Sequence, residues 1–285
     1  MTRSDASTTA LMPLRNYEPR FLQEALDSIF GQTSPSWELL IIVEPEDVQR
    51  LSVPLSDALC DPRVHLIPNQ GRKLAGAFTT GMRTATTDFL AILLSDDRWA
   101  PHAVSTLEAC IRAHPEADFF HSARRIIDGD GRAISSIYEP PDEVRAADFI
   151  WTGPVKHLLC WRRAKALAFG GMDETLNSVG PDDYDFPWLM LEHGAVFVAV
   201  HECLYEYRDH REGVRLTTHL PRSVHLSELR RILTKHGVRA RDIRKRLRLA
   251  KKSYLQQCLY RNELDRWLKE FIGYQPAQGR HEKYR

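Results

Sequence analysis

The stretch 93-LLSDDRW-99 follows directly on the apolar run Phe89-Leu90-Ala91-Ile92-Leu93-Leu94 and sets Asp96 beside Asp97 at its end. A run of that length and composition reads as a buried strand. Two adjacent carboxylates repel, so the pair needs a reason. One is helix capping: Asp is a favoured N-cap, and Pro101 opens a helix running through Leu107 and Ile111. Pro sits best in a first helical turn, which makes Ala100 the cap and leaves both aspartates upstream. The other reason is a hard cation: carboxylate oxygens hold Mg²⁺ or Mn²⁺, which bridges to substrate phosphates.

Outward from this stretch, strand-like and helix-like patterns alternate. Residues 7–12 form a short strand, and 18–30 carry Phe21, Leu22, Ala25, Leu26, Ile29 and Phe30 at helical spacing before Gly31, a suitable C-terminal cap. Glu38–Val43, Arg63–Ile67, 88–94 and Ala117–Ala123 read as further strands, with a small-residue helix over 72–85. Continuous apolar strands separated by helices predict an α/β domain, its largely parallel sheet covered on both faces. Ligands bind such sheets at the carboxyl ends of the strands, where Asp96 and Asp97 fall. The later 128-DGDG-131 reads as a hairpin turn, since it lacks the further oxygen ligands and closing Glu of a calcium loop.

At 285 residues the chain is long enough for one large domain, or a domain with an extension. No window approaches the ~18 apolar residues of a spanning helix, and the opening residues lack the apolar core of a signal peptide. Five cysteines without a CxxC predict a reducing cytoplasm, free buried thiols and no zinc site. The net charge of +1 conceals an asymmetry: residues 222–285 hold 18 Lys/Arg against 6 Asp/Glu, while residues 1–221 hold 21 against 32. An acidic body therefore carries a basic tail. In the tail Ile243, Leu247, Ala250, Tyr254 and Cys258, then Leu264, Trp267, Leu268 and Phe271, form an apolar stripe. Arg241, Arg244, Lys245, Arg248, Lys251 and Lys252 lie opposite, as in a basic amphipathic helix or helix pair. The predicted organisation is a domain over 1–215 and a helical extension over 216–285.

Two more polar clusters fall at loop positions. In 180-GPDDYDF-186, Asp182, Asp183 and Asp185 precede the buried helical run Trp188–Leu191. Acidic residues in a first turn suit the helix dipole, but three within four positions exceed what a cap requires, and a clustered carboxylate with a raised pKa can act as a base. In 205-YEYRDHR-211, Arg208, His210 and Arg211 can meet phosphates or a metal, or serve as ordinary surface and core residues.

The order of these parts resembles the family 2 glycosyltransferases of GT-A fold. The stretch 13-PLRNYEPRFLQEALDSIFGQT-33 is similar to the family's opening, and 38-ELLIIVE-44 to its second strand. Asn69-Gln70-Gly71, Gly81, the strand into Ser95-Asp96-Asp97, 170-GGMDE-174, Asp182-Asp183 and 207-YRDH-210 follow in family order, over about residues 8–212. The resemblance implies a mixed, mostly parallel Rossmann-like sheet with helices on both faces, and inverting sugar transfer from a nucleotide-diphosphate sugar, a UDP-sugar first, to a hydroxyl of a glycan or lipid-linked acceptor. It implies Asp97 and His210 at a Mn²⁺ or Mg²⁺ ion, Asp183 as catalytic base with Asp182 beside it, and Pro13, Asn16, Glu44 and Asp96 around the nucleotide sugar. Arg72 and Lys73 join these as phosphate contacts by charge and place.

Three positions depart from the family: Glu44-Pro45 where an Asp pair is usual, Leu94 where many members have a further Asp, and Asp182 in place of Glu. They motivate a rival reading, a degenerate transferase-like protein that binds a sugar or a partner without turnover. The expected location is the cytoplasm, with the basic tail seated on the inner face of an anionic membrane, or holding a partner or a second subunit, or packing as a solvated helix pair. An acidic body with no nucleic-acid module argues against nucleic acid.

Overall fold

Apolar runs too short for helices build the sheet. The computed structural model describes residues 7–176, 180–209 and 221–260, with side chains through 254. In chain order come β1 (Thr8–Leu14), α1 (Pro19–Phe30), β2 (Trp37–Val43), α2 (Val48–Ser52), β3 (Val64–Pro68), α3 (Lys73–Thr84) and β4 (Phe89–Ile92). Next are β5 (Arg98–Trp99), α4 (Ala103–Ala113), β6 (Phe119–Ile127), α5 (Ala146–Phe149), β7 (Leu159–Arg162), α6 (Arg163–Leu167), α7 (Phe186–Glu192) and β8 (Phe197–Arg208). Two helices follow, α8 (Arg222–Lys235) and α9 (Ala240–Tyr260).

The eight-stranded sheet runs β3-β2-β1-β4-β7-β6-β8-β5. β3, β2, β1 and β4 are mutually parallel, as are β6 and β8, whereas β7 is antiparallel to both β4 and β6, and β5 to β8. Side chains alternate between the faces of β1. Ala10, Met12 and Leu14 join one core with Leu22, Ala25, Leu26 and Ile29 of α1 and Val104 and Leu107 of α4. Leu11 points to the other face, where α3 comes so close that a Cβ on Gly81 would stand 2.7 Å from a Leu11 methyl. Helices therefore cover both faces, the mixed, mostly parallel architecture expected.

Several details differ from the sequence reading. β5 and β7 were not expected, because two and four residues carry too little pattern. α4 begins at Ala103 with His102 at the N-cap, two residues beyond Pro101. This rules out capping as the reason for Asp96 and Asp97. The turn at 128–131 does form, with Gly131 N–H donating to Asp128 O (3.0 Å) and Gly131 at φ +80°. Among the described side chains the thiols are free, but only Cys160 is buried; Cys110 and Cys203 are half-buried and Cys60 is exposed.

The chain divides into two compact units, Met1–Gly213 and Val214–Arg285. In the second, Leu229, Ile232 and Leu233 of α8 and Ile243, Leu247, Ala250 and Tyr254 of α9 are buried. Arg241, Arg244, Lys245, Arg248, Lys251 and Lys252 are exposed. The rest of the predicted stripe, from Cys258 to Phe271, lies outside the residues with described side chains. Among the described residues no helix is long and apolar enough to cross a membrane.

Candidate active site

The first acid pair gets its geometry from β8. Beyond β4 the chain turns, with Asp97 N–H donating to Leu94 O (3.2 Å), and enters β5, which pairs Arg98 with Glu206 and Trp99 with Tyr205. That register brings Asp97 beneath β8. Its Oδ2 accepts from the Tyr205 hydroxyl and its Oδ1 from the Arg208 backbone N–H, both at 2.7 Å, and the residue is 1% exposed. Burial, and after it the charge of Asp96, push the Asp97 carboxyl well above its usual range, against the pull of these two donors. Burial likewise raises the Tyr205 phenol. Asp96 is half-buried, and its backbone carbonyl accepts from Arg208 Nε (2.7 Å). The buried Arg208 guanidinium also donates to the carbonyls of Asp128 and Gly129, pairs with Glu24 and lies over the Phe21 ring. Arg208 is thus a structural clamp. Of the two aspartates, Asp96 has the more accessible side chain.

The second acid pair sits in a tight turn that needs a glycine. Gly180 takes the left-handed conformation at φ +49°, and its carbonyl accepts from the N–H groups of Tyr184 (3.2 Å) and Asp185 (2.8 Å). A Cβ there would stand 2.6 Å from Tyr184 Cβ and 2.9 Å from Asp183 Oδ1. The π-helical turn Pro181–Asp185 buries Asp182 and leaves Asp183 half-exposed. Tyr184 anchors the turn by donating its hydroxyl to Phe149 O. Asp182 Oδ2 lies 3.6 Å from Nε2 of the buried His157. Burial lowers His157 to about 4; burial, and then the charge of Asp183, raise Asp182 to about 8. Burial thus pushes His157 toward its neutral form and Asp182 toward its protonated form, against the charged forms that an ion pair would need.

His157 also links the two acid pairs. Its ring lies 5.3 Å from that of Tyr205, which holds Asp97, so Asp97, Tyr205, His157 and Asp182 form one buried chain. His157 precedes β7, and because β7 runs antiparallel to β4 its start lies at the edge where β4 ends. Sequence reasoning missed His157, Lys156 and Arg124; the only signal was a basic pair before the run Leu158–Trp161.

The nucleotide-side candidates share that edge because they follow parallel strands. Pro13 lies in β1 and exposed Asn16 just after it, Glu44 follows β2, exposed Arg72 and Lys73 follow β3, and Asp96 follows β4. Asn69 organises the loop after β3. Its Nδ2 donates to Glu44 Oε1 (3.1 Å), while its Oδ1 accepts from Gly71 N (2.9 Å) and Thr80 Oγ1 (3.1 Å). Glu174 Oε2 accepts from Arg72 N (2.8 Å), and a Cβ on Gly76 would meet the Gly71 carbonyl carbon at 2.5 Å. In 170-GGMDE-174, then, Glu174 fastens this loop. His210 and Arg211 lie outside the described residues. Among the described residues no three His, Cys, Asp or Glu side chains gather to hold a metal on their own. Asp96 offers a hard oxygen donor, in keeping with a divalent cation held mainly by substrate phosphates and one or two carboxylates.

A parallel four-strand half with acids at its carboxyl edge, an antiparallel β7 and a second acid pair folded back onto that edge define the GT-A class of transferase fold. The chain belongs to glycosyl transferase family 2, whose model matches residues 9–162. It is similar to the O-antigen biosynthesis protein RfbC of Myxococcus xanthus (24% identity over 202 residues, 69% of this chain and 15% of that one). It is also similar to the succinoglycan biosynthesis protein ExoW of Rhizobium meliloti (30% over 116 residues, 38% of this chain and 35% of that one). The chain therefore spans only a minor part of these relatives. In fold it is similar to S. aureus TarS 1-349 in complex with UDP-GlcNAc (TM-score 0.59, 15% identity, 80% of this chain and 66% of that one). It is likewise similar to the mannosyltransferase PcManGT of Pyrobaculum calidifontis in complex with GDP-Man and Mn²⁺ (TM-score 0.56, 18% identity, 86% and 68%).

Proposed function

We propose that residues 1–215 transfer a sugar, with inversion, from a nucleotide-diphosphate sugar, a UDP-sugar first, to a hydroxyl of a glycan or lipid-linked acceptor in the synthesis of a cell-surface polysaccharide or glycoconjugate. The observation that carries this reading is that buried His157 stands between the two acid pairs, near Asp182 and near the Tyr205 that holds Asp97, with half-exposed Asp183 and half-buried Asp96 next to those two acids. Asp183 takes the proton from the acceptor hydroxyl as that oxygen bonds to the anomeric carbon and the bond to the departing diphosphate breaks. Asp182, pushed by burial toward its neutral form beside His157, spares Asp183 a second charge. Pro13, Asn16 and Glu44 frame the nucleoside; Arg72 and Lys73 meet its phosphates.

The burial of Asp97 supports a revised division of labour. Asp96 holds the Mn²⁺ or Mg²⁺ ion, with His210 as a further ligand, and Asp97 positions Asp96 from behind. Such an ion, when bound, offsets charge on the leaving diphosphate. Residues 216–285 seat the enzyme on the inner, anionic face of a membrane through the basic side of α9.

Asp183→Asn tests the base. It is expected to bind Mn²⁺ and donor as the wild type does and to lose transfer by about 10²–10⁴-fold. Near-wild-type turnover by this variant would remove Asp183 from the role. If the purified wild type, given Mn²⁺ and UDP-, GDP- and dTDP-sugars, showed neither nucleotide release nor thermal stabilisation, the enzyme reading itself would fail.

A further inference from the structure

Two cations beside the acid pairs have no task in the scheme above. Arg124 on β6 lies with its guanidinium 4.8 Å from the Tyr207 ring and 6.0 Å from that of Tyr138; its Nε is buried, with no hydrogen-bond partner among the described residues. Lys156, half-buried just before His157, forms no side-chain hydrogen bond or ion pair among them either. Its amine is placed by Gly153. A Cβ on that glycine would stand 3.3 Å from Lys156 Nζ, 3.8 Å from Tyr184 Cδ2 and 4.0 Å from Asp183 O. Arg124 stands opposite Tyr205 in the register of β6 with β8, and the Tyr205 ring lies 5.3 Å from that of His157, so Arg124 stands among the residues that join the two acid pairs. Burial, with Arg124 adding to it, lowers the Lys156 amine, and the charge of Asp183 opposes that shift.

A half-buried cation that lacks a hydrogen-bonded anion forfeits solvation, and the charge of Asp183 near Lys156 or the Tyr207 ring beside Arg124 returns only part of it. Two of them beside the same His157–Tyr205 contact offer an anion two positive charges. Tyr207 occupies a face of the Arg124 guanidinium, and the planar N–H fork of a guanidinium has the geometry that suits a carboxylate. Lys156 supplies a point charge next to Asp183. Those carboxylates would repel a dianionic phosphate more than a monoanion.

We infer that Arg124 and Lys156 form a seat for the carboxylate of an acidic sugar, carried by either the donor or the acceptor, at the place where the two sugars meet. This rests on the transfer reading above and adds the class of sugar.

Calorimetry on the full chain with Mn²⁺ tests it. The donor arm compares UDP-glucuronate with UDP-glucose, GDP-mannuronate with GDP-mannose, and UDP alone. The acceptor arm compares methyl glucuronide with methyl glucoside on the UDP-loaded protein. The expected result is a preference for the acidic member in one arm. In Lys156→Met that preference drops about 10–100-fold, the range for a hydrogen bond to a charged group; Lys156→Arg restores part of it. Gly153→Ala, which crowds the amine while keeping both charges, reduces it less. Three results would overturn the inference: a wild type that favours neutral sugars in both arms, an acid-to-neutral ratio unchanged in Lys156→Met, or an equal loss of UDP alone, which would assign the cations to the diphosphate. Because binding is read directly, loss of transfer with every sugar tells against the enzyme reading and leaves this comparison decisive.

Discussion

Tyr205 donates its hydroxyl hydrogen to Asp97 Oδ2 at 2.7 Å, and this bond makes two chemically identical neighbours into different groups. Asp97 is drawn beneath β8, with its other oxygen on Arg208 N–H, while Asp96 stays half-exposed at the strand edge.

The first prediction separates the two. Asp97→Ala leaves the buried Tyr205 hydroxyl and Arg208 N–H without their acceptor, at a cost of about 1–3 kcal/mol for each. Asp96→Ala removes a half-exposed side chain and is expected to unfold close to the wild-type midpoint. Urea unfolding should therefore show a clear loss for Asp97→Ala and little for Asp96→Ala. Titration of UDP with Mn²⁺ should show the opposite order, with binding lost in Asp96→Ala. A well-folded Asp97→Ala that no longer binds Mn²⁺-UDP, beside an Asp96→Ala that does, would return the metal to Asp97.

That contrast marks how far the sequence can be read. The apolar runs Glu38–Val43 and Phe89–Leu94 are local, so the strands and the acids at their ends can be located by inspection. Whether Asp96 or Asp97 is buried depends on Tyr205, 108 residues away and brought close by a two-residue strand. No local pattern encodes that pairing. His157 is equally hidden, since its meaning comes from Asp182 and from the antiparallel direction of β7. Glu174, the last residue of 170-GGMDE-174, serves the Arg72 backbone across the fold, a partner that its neighbours in the chain do not indicate.

The second prediction concerns pH. Asp182 is raised from 3.8 to about 8, so the folded chain keeps a proton that the unfolded chain releases, and stability falls as pH rises through that interval. His157 is lowered from 6.5 to about 4, so the unfolded chain binds the extra proton, and stability rises with pH between those values. The two contributions oppose each other between about 4 and 6.5. From 6.5 to about 8 only Asp182 remains, and the unfolding midpoint should decline. Asp182→Asn cannot titrate and should flatten the decline, which thermal unfolding at half-unit pH steps would reveal. A wild type whose stability rises over pH 6.5–8, or a variant with an unaltered slope, would contradict the assignment.

The last prediction concerns the basic helix. On α9, Ile243, Leu247, Ala250 and Tyr254 are buried, while Arg241, Arg244, Lys245, Arg248, Lys251 and Lys252 are exposed, with Asp242 the lone acid between 240 and 254. A cation near an anionic leaflet contributes about 1 kcal/mol, and salt screens it. Arg244→Gln, Lys245→Gln, Arg248→Gln and Lys252→Gln combined in the full chain should therefore weaken binding to vesicles of mixed phosphatidylglycerol and phosphatidylcholine by about two to three orders of magnitude. These side chains are exposed, so the fold should be kept, and circular dichroism would establish that. Sedimentation of wild type and variant with anionic and with purely zwitterionic vesicles, at low and high salt, measures the effect. Salt-sensitive binding to the anionic vesicles alone, lost in the variant, is the expected result. Equal recovery with both vesicle types, or none by the wild type, would make this face a solvated surface.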